Sequence, residues 1–261
     1  MSAEAYLTGA TDILHRVTET QLEPIRRAGS LIADAIAADG MAHFFGAGHS
    51  HLAVEEAFPR NGGMSGVHPM TELATSYFTG VVGDSGVRQM RFYQQVEGYG
   101  EVILANYDLR PPDCMVVFTA TGLTRVSIDI ARGAQERGLP TIGVTSLAHA
   151  TSTGTEHSAG VRLHEVVDVV IDTCTPPGDA IVAVPGLAQK VGGSSTVAAI
   201  AITHAMLSEA AAELTRRGVP PLVIESPYWE GDGAEVTDRK RRAEAQWDRV
   251  LADWRRRRAR L

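Results

Sequence analysis

Ala42-His43-Phe44-Phe45-Gly46-Ala47-Gly48-His49-Ser50 is the stretch on which the fold turns. With Met41 ahead of it, the apolar part predicts a short buried strand over 41–45 that ends in a glycine turn. Gly46 and Gly48 admit backbone angles closed to other residues, so the main chain can pass close to a ligand. His49, Ser50 and His51 stand at the mouth of the turn, and an apolar periodicity predicts a helix from there through Phe58. A strand, a glycine turn and a helix N-terminus in succession make an anion site, because unpaired N–H groups and the helix dipole both favour negative charge. The pattern is not a dinucleotide fingerprint, since His51 stands where a third glycine belongs, nor a P-loop, since no lysine follows. A tight turn without a ligand is the plain alternative.

Upstream, residues 3–38 carry a helical stripe (Leu7, Ile13, Val17, then Ile25, Ile32, Ile36), with Pro24 opening a second helix and Asp39-Gly40 closing it. Downstream, Arg60-Asn61-Gly62-Gly63 is a turn, residues 64–87 read as irregular with some helix, and 89–98 as helix. Residues 101–104 read as a short strand or a helix end. Continuous apolar runs predict buried strands over 114–118, 141–145 and 166–171. Val126, Ile130 and Ala134 line one face of a helix that stops near Gly138. Ser195 or Thr196 caps a long small-residue helix through Leu214, and 222–224 is a last strand or an extended arm. Strands alternating with helices argue for an α/β fold with a parallel sheet covered on both faces. The expected division is a helical extension over 1–38, the α/β domain over 39–218, and an arm and helix over 219–261.

At 261 residues and 44% hydrophobic content, the chain can bury a full core, and its net charge of −7 gives no pull toward nucleic acid or anionic membrane. Lys190 and Lys240 are its two lysines, so Schiff-base chemistry would rest on one of them. Cys114 and Cys174 form neither a metal cluster nor a disulfide framework, which suits a reducing cytosol. No leader pattern and no run of membrane-spanning length is read, and the expected location is cytoplasmic. The Arg255–Arg260 run reads as a solvated helix end rather than a nucleic-acid patch.

The second informative stretch is Thr119-Ala120-Thr121-Gly122-Leu123-Thr124, again between a strand and a helix. In an open parallel sheet, ligands bind at the carboxyl ends of the strands, where both turns lie. Three hydroxyls around Gly122, with helix N-terminal amides, suit a phosphate monoester without a lysine. Each threonine alone also suits a turn or a cap. Together, Gly46–Ser50 and Thr119–Thr124 resemble the two signatures of the SIS (sugar isomerase) domain, with threonines at both serine positions of the second. The resemblance spans about residues 35–215. His49 to Glu56, Arg60, Gly62-Gly63 and Lys190 to Thr196 look most like its phosphosugar and phosphoheptose isomerase subgroup.

That resemblance implies a five-stranded parallel α/β/α sandwich, a homo-oligomer with sites near the subunit interface, and a sugar phosphate as ligand. It places Gly48, Ser50, Thr119, Thr121, Gly122 and Thr124 around the phosphate, with Ser194 or Ser195 closing the pocket. Aldose–ketose isomerisation needs a base to move a proton between carbons. Glu55 and Glu56 lie one turn past the first loop and point about 100° apart, so one faces the sugar; Glu56 is the expected base. His49 and His51 suit either enediolate stabilisation and ring opening or plain hydrogen bonding of the loop. His204, on the long helix, matches a catalytic histidine of heptose-phosphate isomerases or is a packing residue, and Glu72 is a further loop carboxylate. Some heptose-phosphate isomerases bind zinc through a first-helix histidine; Glu56 stands there, so neither a metal nor another cofactor is expected. The rival readings are a phosphosugar lyase, whose expected carboxylate is replaced by Arg60, and a non-catalytic sensor, whose usual DNA-binding domain is not seen.

Overall fold

A stripe of Ile25, Ala28, Ile32 and Ile36 puts one face of a helix into a core. The computed structural model describes residues 2–76, 86–228 and 233–261, and there the N-terminal stretch forms α1 (Ser2–Thr20) and α2 (Leu22–Ala37). Pro24 sits in the first turn of α2, where its missing N–H costs nothing. The helix ends with Gly40 N–H on the Ala35 carbonyl at 2.8 Å and Asp39 N–H on that of Ile36 at 3.1 Å, with Asp39 at φ +64°.

Five parallel strands follow: β1 (Ala42–Gly46), β2 (Val67–Met70), β3 (Cys114–Thr119), β4 (Thr141–Thr145) and β5 (Val169–Asp172), in the order β2-β1-β3-β4-β5. β2 corrects the irregular reading of 64–87, of which residues 77–85 lie outside the described residues. It is four residues long and contains Pro69, which an edge strand tolerates because one side needs no ladder donor. Phe44 and Phe45 alternate across β1, so each serves a different core. Phe44, Val116, Ile32, Ile202 and Met206 pack on one face of the sheet, and Phe45, Met115, Val117, Ile128 and Leu104 on the other.

The remaining elements are α3 (His51–Glu55), α4 (Leu73–Ser76), α5 (Val87–Tyr93), α6 (Tyr99–Leu104), α7 (Arg125–Glu136), α8 (Leu147–Ala150), α9 (Leu163–Val166), a hairpin of β6 (Ala180–Val182) and β7 (Val191–Gly193), α10 (Ser195–Arg216) and α11 (Ala234–Arg258). α3 stops at Glu55, short of the predicted Phe58, and residues 101–104 are helical. Residues 222–224 form an arm bridged at Met64–Val223 rather than a strand of the sheet. α10 is long and apolar enough by length and composition to cross a membrane. Here it is a core helix, burying Ala198, Ile202, Met206 and Leu214. α1 props the hairpin, with the Tyr6 hydroxyl donating to the Gly193 carbonyl at 2.8 Å.

The arginine run is not the solvated end that the sequence predicts. α11 lies across the amino ends of β1 and β3, and its last turns meet acidic groups there. Arg256 reaches Asp39 at 2.8 Å, Arg257 donates to the Gly40 carbonyl at 2.6 Å, and Arg260 pairs with the buried Asp113. Arg256 holds the Asp39 carboxyl below its ordinary range.

Candidate functional site

Parallel strands deliver the loops that follow them to one edge, so the turns after β1, β3 and β4 converge. In the first turn Gly48 takes φ +62°, and a Cβ on Gly46 would stand 2.6 Å from the Ser50 carbonyl oxygen. Glycine at both positions is therefore a steric requirement. The turn opens onto a cavity of about 770 Å³ lined by Gly48, His49 and Ser50, by Thr119, Thr121 and Thr124 of the second turn, and by Ser195 and Thr196 at the start of α10. Three segments far apart in sequence thus meet in one space.

Within the second turn, the hydroxyls of Thr119 and Thr124 lie 3.0 Å apart, and Thr121 Oγ1 accepts the Leu123 N–H at 3.1 Å. Gly122 is buried beneath the cavity, its carbonyl accepting the Leu163 N–H at 2.9 Å. Ser194 is also buried, and its hydroxyl donates to the Asp179 carbonyl at 2.8 Å, whereas Ser195 lines the cavity. His49 faces the cavity. His51 does not: it is buried beneath the turn, Nδ1 donating to the Gly48 carbonyl and Nε2 lying 3.5 Å from Glu55. Its place is that of the loop-holding histidine.

Glu56 and His204 meet in a second, smaller pocket of about 160 Å³ walled by Met64, Leu207 and Val223. His204 Nε2 donates to Glu56 Oε1 at 2.9 Å, and the Arg60 guanidinium pairs with the same oxygen. Burial, with Arg60 adding to it, lowers the His204 pKa, so the ring is neutral at pH 7 and its Nε2–H faces the carboxylate. Ser50 and Glu56 are six residues apart along the turn and α3, which at helical rise separates the two pockets by about 9 Å. Glu72 lies elsewhere, accepting the Tyr107 hydroxyl at 2.5 Å.

Four polar side chains of the cavity escaped the sequence reading: Arg91 of α5, Gln94 just past its end, His149 of α8, and Asp179 before β6. His149 lies in the first turn of the helix after β4, so the rule that pointed to the first two turns could have found it. Nothing local marks Arg91 or Gln94, which arrive because α5 leans on the first turn. Gln94 also closes the second, its carbonyl accepting the Val126 N–H of α7 at 3.1 Å. Among the described residues, no three His, Cys, Asp or Glu side chains converge in a metal-binding group.

Comparison with known proteins fits this architecture. The chain is 33% identical over 226 residues to the UPF0309 protein of Geobacillus kaustophilus (87% of this chain, 88% of that one). It is 32% identical over 242 residues to the UPF0309 protein of Streptomyces avermitilis (91% and 92%). Among solved structures, the phosphoheptose isomerase GmhA of Neisseria gonorrhoeae shares the fold, with a TM-score of 0.55 at 17% identity over 80% of this chain and 97% of that one. A phosphoheptose isomerase of Francisella tularensis does so at 0.54 and 12%, over 80% and 95%. The SIS domain family model matches residues 5–146, which carry both turns, and the chain belongs to the SIS domain family.

Proposed function

We propose that this protein is an aldose–ketose isomerase of a sugar phosphate. The observation that carries the reading is the Glu56–His204 pair at 2.9 Å, about 9 Å along the chain from a cavity lined by hydroxyls. In this reading Ser50, Thr119, Thr121 and Thr124 take the phosphate oxygens, the exposed Arg91 adds a full positive charge, and the sugar extends along α3 toward Glu56. The likeness to two phosphoheptose isomerases supports the fold that this needs.

Isomerisation moves a proton from C2 of the aldose to C1, and a second from O2 to O1. Glu56 Oε1 is held by His204 and Arg60, while Oε2 has no described partner and is the atom to take the carbon-bound proton. His204 fixes the carboxylate, and Arg60 offsets charge as the enediolate forms. The Glu56–His204 pocket lies beside the exposed face of α10, which carries Val197, His204 and Ser208. A second copy packed on that face would wall the pocket and exclude water, which supports a homo-oligomer.

The test is proton exchange in D₂O. The protein should wash deuterium into C1 or C2 of its sugar phosphate, and Glu56→Gln should slow that exchange by about 10²–10⁴-fold while phosphosugar binding is kept. Binding without exchange by the native protein would turn the reading toward a sensor. Release of a C3 substituent instead would turn it toward a lyase.

A further inference from the structure

α3 carries two consecutive carboxylates that turn in different directions. Glu56 meets His204. Glu55, about 100° round the helix, faces the ring one turn back, its Oε1 standing 3.5 Å from His51 Nε2. His51 lies beneath the first turn and closes on the Gly48 carbonyl twice, since its backbone N–H and its ring Nδ1–H both donate there. The ring is thus held between an acceptor at each nitrogen. A half-turn about its Cβ–Cγ bond would put a carbon where each nitrogen stands and lose both contacts.

What this fixes is a peptide plane. In a trans peptide the carbonyl and the following N–H point to opposite sides. With the Gly48 carbonyl drawn down onto His51, the amide it shares with His49 faces the other way, and both residues line the cavity. Gly48, at φ +62°, has no Cβ to restrict that peptide. At the other helix starts, amides are committed within the protein. Asp179 Oδ1 caps α10 by accepting the Ser194 N–H at 2.8 Å and the Ser195 N–H at 2.6 Å, and the Gln94 carbonyl takes the Val126 N–H of α7. The first turn is where a peptide's orientation is left to a side chain.

Resting on the sugar-phosphate reading of this cavity, we infer that Glu55 is a positioning residue: through His51 it holds the Gly48–His49 peptide in the orientation that receives the phosphate. The sign of its effect separates this role from electrostatics. A carboxylate five residues past Ser50 repels an anion, so charge alone makes its removal tighten phosphate binding. Positioning makes its removal loosen it.

The experiment is a double-mutant cycle on the full-length protein, read as calorimetric affinity for inorganic phosphate. Glu55 is 36% exposed, so its variants should fold. Glu55→Ala should weaken binding by about three- to fivefold. Glu55→Gln keeps a partner for His51 Nε2 without the charge and should restore the native affinity or better. His51→Asn places an amide N–H where Nδ1–H stood but no longer reaches Glu55, and on that background Glu55→Ala should cease to weaken binding. Unchanged or tighter binding by Glu55→Ala, or a full loss that persists with His51→Asn, overturns the inference and leaves the cradle standing. If His51→Asn fails to fold, the alanine and glutamine variants at position 55 decide by sign and by rescue. Native protein that binds neither inorganic phosphate nor any sugar phosphate overturns both.

Discussion

At the amino ends of β1 and β3, His43, His68 and Asp113 are wholly buried and face one another; at the carboxyl ends of the same strands, His49, Ser50 and Thr121 face an open cavity. The amino end is a dry cluster, in which His43 Nε2 lies at ion-pair distance from Asp113 without a well-aligned hydrogen bond. His43 Nδ1 lies 2.8 Å from His68 Nδ1, His43 Nε2 lies 3.2 Å from Asp113, and Asp113 also takes the Met41 N–H at 2.8 Å and the Arg260 guanidinium. Trp254 of α11 donates to the Val67 carbonyl at 3.1 Å and shuts the edge. Polar groups that are paired with one another and dry hold a fold together. Polar groups left facing a cavity hold it less and remain available to a ligand.

The largest expected break in that contrast is Asp113→Ala. It leaves a half-buried guanidinium, a buried imidazole and the Met41 N–H without their acceptor, and urea unfolding should show a loss of about 3 kcal/mol. A change below about 1 kcal/mol would mean that the amino end is no more structural than the cavity.

Next comes pH. Burial, with His43 adding to it, holds the His68 pKa at about 2, and burial also lowers that of His43 against the pull of Asp113. Burial would raise the Asp113 carboxyl, but His43 and Arg260 prevail and hold it at about 2. Both rings are thus neutral in the folded state, while the unfolded chain protonates them below about pH 6.5. Stability is complete above that pH and falls as pH drops, by about 1.4 kcal/mol per unit for His68, or about 2 kcal/mol at pH 5, with His43 adding in the same direction. Urea titrations at pH 7.5 and 5.0 measure it, and His68→Asn should flatten the slope. Identical curves at the two pH values would remove the buried pair from the account.

The smallest effect on stability belongs to the carboxyl end. Thr121→Val removes one turn hydrogen bond of a half-buried residue and should change unfolding by about 1 kcal/mol or less. It should weaken sugar-phosphate binding by about tenfold, the worth of one hydrogen bond to a charged group. Unchanged affinity would mean that the cradle lies elsewhere.

How much of this was legible depends on whether the signal was local. Thr141–Thr145 was readable to the residue because a buried parallel strand is a continuous apolar run, and the two glycine turns because their spacing is fixed by backbone geometry. β2 was not, being four residues with a histidine and a proline; only its neighbour β1 makes it a strand. The arginine tail misled because a basic helix end looks the same whether water or a carboxylate receives it, and Asp39 and Asp113 lie far off in sequence. Asp179 was missed for a related reason. An N-cap is sought at the residue before the helix, and this one comes from fifteen positions upstream.

The Tyr6 hydroxyl on the Gly193 carbonyl gives the first turns of α1 a reach that their sequence does not suggest. They line neither the hydroxyl cavity nor the Glu56–His204 pocket, yet they steady the hairpin from which Asp179 grips α10. In mechanical terms α1 is a doorstop: the hairpin is the door, and α10's first amides are the frame. Trimming those turns would leave every wall of the cavity in the chain and still loosen its entrance, so a shortened protein and the full one are different instruments for measuring the same ligand.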